Sequence, residues 1–571
     1  MKFHLPKKLL VAVLAAVSAN SVQAGAVVEV DQVLNVPSGE EVIISSDASR
    51  YEHYYAVAKD GEGTAVITGN VTKYAGIYVR EGELQIGDGE TETTLRIEVT
   101  ADNEEIYCHG ICVSGKDAVV TFNKATYSNG GEIFNQVGGA NGNGTMNITN
   151  GSVLNLISNS NLLIGNSLFC TDTTVAPGSS EVYQGNYTLA GNGSGVKFGK
   201  GIVNVTSGST LNTGYHNLWM SEGEINVSGQ GSSAVICNYS GNRTILSLED
   251  NSTSSLNVSD GGKMILNSSN VYAGWGSNGV VNINVDGEGS ELIRPNERPP
   301  HPDDGVTGST STYIAYAGSG SETNINVTNG GKISFLSDVT SFNSKTSANR
   351  TANVTIDSKS TMLFNSVQMA DGTTIENAGT MDASSLYMSG GSVANTGVLS
   401  VDSDFCVYAG TVSNSGSIVV DYFEVSGEGS CFSFDSNSSL TADCTWITDS
   451  ASVNYTYFGE TSETGAPITI IAIEDGYNEF DMDEGTNFNL ELSGEYLSTL
   501  EGTEASMLVK VASGNLDNCH LNNTFTVSFE NSVIWNADGI QWSATDDGLY
   551  IVGTLTKNQE VIVDEIGRAH V

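Results

Sequence analysis

Catalysis or metal binding needs titratable or nucleophilic side chains at short, defined spacing, and this chain of 571 residues offers few such groupings. Of its seven histidines, His4 and His570 lie at the two ends, and His53, His109, His216, His301 and His520 are scattered singly, with no pair at metal-ligand spacing. The segment Cys108-His109-Gly110-Ile111-Cys112 has the wrong order for haem attachment and no second metal pair beside it, so it reads as a local bridge or as two buried thiols. Residues 479–485 begin like a calcium loop, with carboxylates at alternating positions. The pattern then fails, because Gly485 falls one residue late and Leu490 stands where the closing glutamate belongs, so the segment reads as a solvated acidic turn.

Asp303-Asp304 is the one adjacent acid pair near basic residues. A paired acid and base beside a cation is what hydrolysis or elimination on an acidic polysaccharide requires, and a β-helix can supply it from neighbouring coils. No Gly-His-Gly and no second matched aspartate motif accompanies the pair, and no Gly-x-Ser-x-Gly sits in a strand-to-helix context. The residues therefore designate no catalytic, cofactor or metal-ligand position, and the expected chain is not an enzyme. The same stretch does stand out as a surface excursion: residues 294–305 hold four of the eight prolines, which lack the donor a sheet ladder needs. Arg294, Glu297, Arg298, His301, Asp303 and Asp304 make it a candidate contact loop with both signs of charge.

The formal charge is −43, and residues 360–509 contain no lysine or arginine. Such a surface repels polyphosphate and excludes nucleic acid and anionic membranes as partners, while keeping a long secreted rod soluble. Lys2, Lys7 and Lys8, the apolar run 9–17 and Val22-Gln23-Ala24 form a secretory leader, with cleavage expected after Ala24. No later stretch in the chain as given reaches the roughly 20 apolar residues of a spanning helix.

The elements that must carry these residues are repetitive. An apolar-Asn-apolar triplet recurs at Met146-Asn147-Ile148, Val203-Asn204-Val205, Ile225-Asn226-Val227, Leu256-Asn257-Val258, Ile283-Asn284-Val285 and Ile325-Asn326-Val327. Period-two alternation puts the apolar pair on one face of a strand and the asparagine on the other, and the Ser/Thr/Asp and Gly residues that follow turn the chain into a second short strand. One such unit cannot bury its inner face alone. Stacking successive units at roughly 4.8 Å per coil closes a continuous core. A tighter repeat places Asn377, Asn395 and Asn414 at 18 and 19 residue steps, which suits one compact coil of three strands with asparagine at the same corner, stacked as a hydrogen-bonded ladder.

The apolar-Asn-apolar strands, the Asn-x-Gly corners and the leader together resemble the passenger regions of autotransporters and related bacterial β-helix adhesins, over residues 25–459. The resemblance implies an all-β, right-handed parallel β-helix of the pectin-lyase-like solenoid class, exposed at the cell surface or secreted, whose partners are host or matrix glycans or proteins, or further copies of itself. A structural surface-layer or stalk role is the other non-enzymatic reading. Members are commonly carried by a C-terminal barrel. Residues 460–556 instead show longer strand-like runs and are expected to form a small β cap or sandwich, with Trp535 and Trp542 as packing anchors. Residues 557–571 are a tail, and 565–571 back-translate to sequencing-adapter DNA, so the natural C-terminus is expected to lie elsewhere.

Overall fold

The computed structural model describes residues 27–29, 32–45, 55–98, 109–130, 133–139, 142–156, 160–166, 181–183, 199–214, 217–237, 243–297, 308–343, 349–435, 438–448 and 451–457. It also describes the strands at 468–472, 480–482, 487–492, 505–512, 525–527, 533–535, 541–545, 548–557 and 561–563. The leader and the adapter-like tail lie outside these residues. The chain forms two compact units, residues 1–338 with 345–350, and residues 339–344 with 351–571.

In the first unit the chain is an all-β, right-handed parallel β-helix of three sheets, whose strands pair in parallel with their counterparts one coil away; Val27–Glu29 and Glu181–Tyr183 form a separate antiparallel pair. The first sheet stacks Gly144–Thr149, Gly201–Thr206, Gly223–Ser228, Thr253–Ser259, Val280–Asp286 and Glu322–Thr328, with Met146, Val203, Ile225, Leu256, Ile283 and Ile325 in one row. The second stacks Val153–Leu156, Thr210–Thr213, Ser233–Ile236, Lys263–Leu266, Glu291–Arg294 and Lys332–Phe335. Parallel strands joined by crossovers take the right hand because of the intrinsic strand twist. The inward apolar pairs of the first sheet are all at most 1% exposed, as the alternation required. Each such side chain contributes about 1.5–3 kcal/mol on burial, set against the entropy of fixing its coil.

The corner between the first two sheets follows from turn chemistry. Asn150-Gly151, Ser207-Gly208, Asp260-Gly261 and Asn329-Gly330 each carry two successive positive φ angles, between 53° and 88°. Only glycine and small polar residues adopt this conformation cheaply, which explains the Asn/Ser/Asp-Gly recurrence in the sequence.

The asparagines of the triplets point outward and are half-buried, and they are bonded to one another. Asn204, Asn226, Asn257, Asn284 and Asn326 each donate Nδ2 to the Oδ1 of the preceding coil's asparagine, at 2.9, 2.8, 2.7, 2.8 and 2.9 Å.

The second unit uses the shorter repeat. Thr380, Val398, Ser417 and Ser439 stack in register on successive coils, and the strands Thr380–Asn395 and Val398–Asn414 run unbroken around a corner. Its core is more aromatic, with Phe405, Phe423 and Phe432 meeting edge to face at 5.2 and 4.9 Å. Here the asparagine ladder lies inside. Asn377, Asn395 and Asn414 are at most 1% exposed, and Nδ2 of each of the first two donates to Oδ1 of the next, at 2.7 and 2.8 Å.

Coil pairing does not stop at residue 459, where the Asn-Gly repeats fade. Ser452–Tyr457 pairs in parallel with Asn487–Leu492, and Thr445, Trp446 and Ile447 pair with Phe480, Asp481 and Met482. The reason is visible in Phe488, Leu490 and Leu492, which keep period-two alternation without the corner motif. It also makes residues 480–482 part of a strand and not of an acidic turn. Beyond this, Ile468–Ala472, Ala505–Ala512, Gly548–Lys557, Val533–Trp535 and Gln541–Thr545 form a separate mixed sheet in which three pairings are antiparallel, and Trp535 and Trp542 lie on two of its strands.

Candidate functional site: an aromatic band on the third sheet

The third sheet of the first unit stacks Ser160–Asn166, Leu218–Met220, Arg243–Leu246, Asn270–Ala273 and Ser311–Ile314. These strands are short. Leu218, Met220, Thr244, Leu246, Val271, Ala273, Thr312 and Ile314 face the core and are buried. The residue between each inward pair faces out, and on this sheet it is large and apolar: Leu163, Trp219, Ile245, Tyr272 and Tyr313 succeed one another in one row.

Trp275 and Tyr316, just past the ends of two of these strands, fold back over the row. Tyr272 and Tyr313 stack with centroids 5.2 Å apart and planes 7° from parallel, Tyr316 lies 4.6 Å from Tyr272, and Trp275 lies 5.4 Å from Tyr316. Trp219, Tyr272 and Trp275 cover Leu163, Ile245 and Leu248, which are 0, 5 and 8% exposed. The result is a second small hydrophobic cluster outside the solenoid core, with half-buried rings at its surface. Arg350 closes one side by donating Nη1 to the carbonyls of Ala315, at 2.8 Å, and Tyr316. Ring pairs of this kind contribute about 0.5–1.5 kcal/mol each, and the rings, being half-buried, leave part of their apolar surface in contact with solvent.

The excursion singled out in the sequence emerges beside this band. It leaves the second sheet at Arg294 and re-enters the third at Ser311, two residues before Tyr313. Arg294 is not a contact residue. It is fully buried, with Nη1 donating to Leu266 O at 2.9 Å and Nη2 to Ser269 O at 2.9 Å and Ser311 O at 3.4 Å. Burial pushes its guanidinium down to about 9, which leaves it charged at neutral pH, bound to carbonyl oxygens at the base of the excursion. Glu297 is exposed and pairs with Ser309 in an isolated antiparallel bridge, while Thr310 Oγ1 donates to the carbonyls of Pro295 and Asn296 at 2.8 and 3.0 Å. The excursion is thus clasped at its stem. Arg298, His301, Asp303 and Asp304 lie outside the described residues.

Cys112 is buried, its Sγ 3.9 Å from Gln136 Oε1, and Cys108 lies outside the described residues. Cys237 and Cys406 are buried free thiols, and desolvation pushes both up to about 11. Among the described residues no three His, Cys, Asp or Glu side chains gather closely enough to hold a metal ion.

The aromatic band had a signal that strand-by-strand reading passes over. Leu218-Trp219-Met220, Thr244-Ile245-Leu246, Val271-Tyr272-Ala273 and Thr312-Tyr313-Ile314 each place a bulky apolar residue where alternation calls for a polar one. Only aligning the third strand of each coil brings them into one row.

No family model and no curated protein matches the chain. Among solved structures, the chain is similar to the Hap adhesin of Haemophilus influenzae, at 11% identity and a TM-score of 0.24, over 92% of this chain and 60% of that one. The chain thus spans less than two thirds of that adhesin's length.

Proposed function

We propose that this chain is an exported bacterial surface or secreted protein of adhesin type, which holds host or matrix glycans or proteins through its lateral face and performs no chemistry. The observation that carries the reading is the aromatic band: an outward, partly exposed apolar row on a β-helix, bordered by a clasped excursion, is a surface that binding can use. The leader supports export, and weak contacts repeated along stacked coils sum by multivalency. The test is binding of the chain without its first 24 residues to an array of glycans and matrix proteins, with release of reducing ends recorded in the same wells. Saturable binding without product, reduced by Tyr272→Ala with Tyr313→Ala, is the expected result. Product formation would instead make it a polysaccharide-degrading enzyme, and binding indifferent to both tyrosines would remove the band from the contact.

A further inference from the structure

The second unit carries a different outward face. On the strands Thr380–Asn395, Val398–Asn414, Ser417–Ser426 and Ser439–Thr448, the residues Tyr387, Cys406, Glu424 and Trp446 succeed one another in one outward row, with Asp404 and Tyr422 paired in the row beside it. Tyr387 donates its hydroxyl to Asp404 Oδ2 at 2.9 Å, and Tyr422 donates to Glu424 Oε2 at 3.1 Å. The Tyr422 and Trp446 rings lie 6.3 Å apart, Tyr408 is 47% exposed at the edge of the face, and Cys406 is buried beneath it. Tyrosine hydroxyls thus orient both carboxylates. The long stretch without lysine or arginine, residues 360–509, contains all of these residues, so the sequence around the face supplies no cation to them.

We infer that this face docks a lysine- or arginine-rich protein segment, its aromatic rings packing against the alkyl stems and cationic heads while Asp404 and Glu424 supply the opposite charge. Charge complementarity selects this occupant. A second copy of the chain would bring like charge to like charge, and a neutral apolar partner would leave two carboxylates facing it without a counter-charge. Tyrosine and tryptophan beside carboxylates suit a cationic head on an aliphatic stem, because the ring faces attract the charge and the ring edges cover the stem. The proposal is independent of the aromatic band in the first unit, and either can fail alone.

The test uses the whole chain and two fluorescently labelled ten-residue peptides, one with alternating lysine and alanine, the other with every lysine acetylated. A net charge of −43 attracts any polycation, so the comparison must be local. Asp404→Asn with Glu424→Gln removes two charges at the face. Glu90→Gln with Glu288→Gln removes the same number at exposed sites elsewhere. The expected result is saturable binding of the lysine peptide and not of the acetylated one, weakened about tenfold by the first pair and less than about twofold by the second. Tyr387→Phe keeps the ring and frees Asp404 from its donor, and is expected to change affinity while the melting temperature stays the same. Equal weakening by both charge pairs, equal binding of the two peptides, or no saturation would overturn the inference. Should the double variant melt early, Glu424→Gln alone, expected to weaken binding about threefold, carries the same decision.

Discussion

The two asparagine ladders make the same bond in opposite surroundings, so they measure what burial adds. Asn395 is 0% exposed, donates to Asn414 Oδ1 at 2.8 Å and Ser417 O at 3.0 Å, and accepts from Asn377 Nδ2 at 2.7 Å. Replacing it by alanine removes these bonds where water cannot reach. Asn377 Nδ2 keeps Val398 O at 2.9 Å and Asn414 Oδ1 keeps Gly416 N at 3.2 Å, so neither partner is wholly orphaned. At about 0.5–1.5 kcal/mol for each lost bond, together with a small cavity, the cost of Asn395→Ala comes to about 3 kcal/mol. Asn257 also makes two ladder bonds, at 2.7 and 2.8 Å, but on the half-buried outer face, where water replaces them and the cost falls to about 1 kcal/mol or less. In a solenoid such losses stay near the altered coil, so a global melting curve blurs them. Native-state hydrogen exchange, read by mass spectrometry on peptides spanning 392–420 and 253–286, resolves them. Opening of the altered coil should rise about 150-fold for Asn395→Ala and about fivefold or less for Asn257→Ala. Equal acceleration at the two sites, or a larger effect at Asn257, would refute the argument that desolvation decides the worth of a ladder.

Other consequences are as concrete. Gly165 sits at φ +57°, where an added Cβ would come within 1.7 Å of Glu222 O, so Gly165→Ala should cost about 3 kcal/mol or more and lower the urea midpoint of the first unit. Arg294→Ala leaves the carbonyls of Leu266 and Ser269 without this donor and should open the excursion stem, seen as faster proteolytic cleavage between Pro295 and Ser309; an unchanged digest would count against the clasp. Cys237 and Cys406, pushed up to about 11 by burial, should resist iodoacetamide at pH 8 in the native chain and react only on unfolding, as peptide mass mapping would register.

The first sheet could be read from residues alone because its strands are long enough to show period-two alternation and its corner demands glycine beside Asn, Ser or Asp. The inner ladder of the second unit was likewise readable, since Asn377, Asn395 and Asn414 recur at one coil's length. The third sheet was not. After Ser160–Asn166 its strands are only three or four residues long, and a triplet such as Leu218-Trp219-Met220 contains no polar residue to reveal which side faces out. Arg294 was misread because a charged residue next to prolines suggests solvent, whereas its side chain turns inward to bind three carbonyls, a contact no local pattern announces. The end of coil pairing was also set too early, because the corner motif disappears before the alternation does.

The outer ladder has a bearing on how such a chain changes over generations. Its bond is 2.8 Å between asparagines 22 residues apart, and 2.9 Å between those 57 and 42 residues apart. Register is therefore indifferent to how much polypeptide departs between one rung and the next. Changes in the number of residues between rungs therefore cost the ladder little, and insertions there can be accepted while the scaffold is kept. The same tolerance marks the excursion between Arg294 and Ser311 as a place to graft a foreign epitope with the neighbouring coils undisturbed.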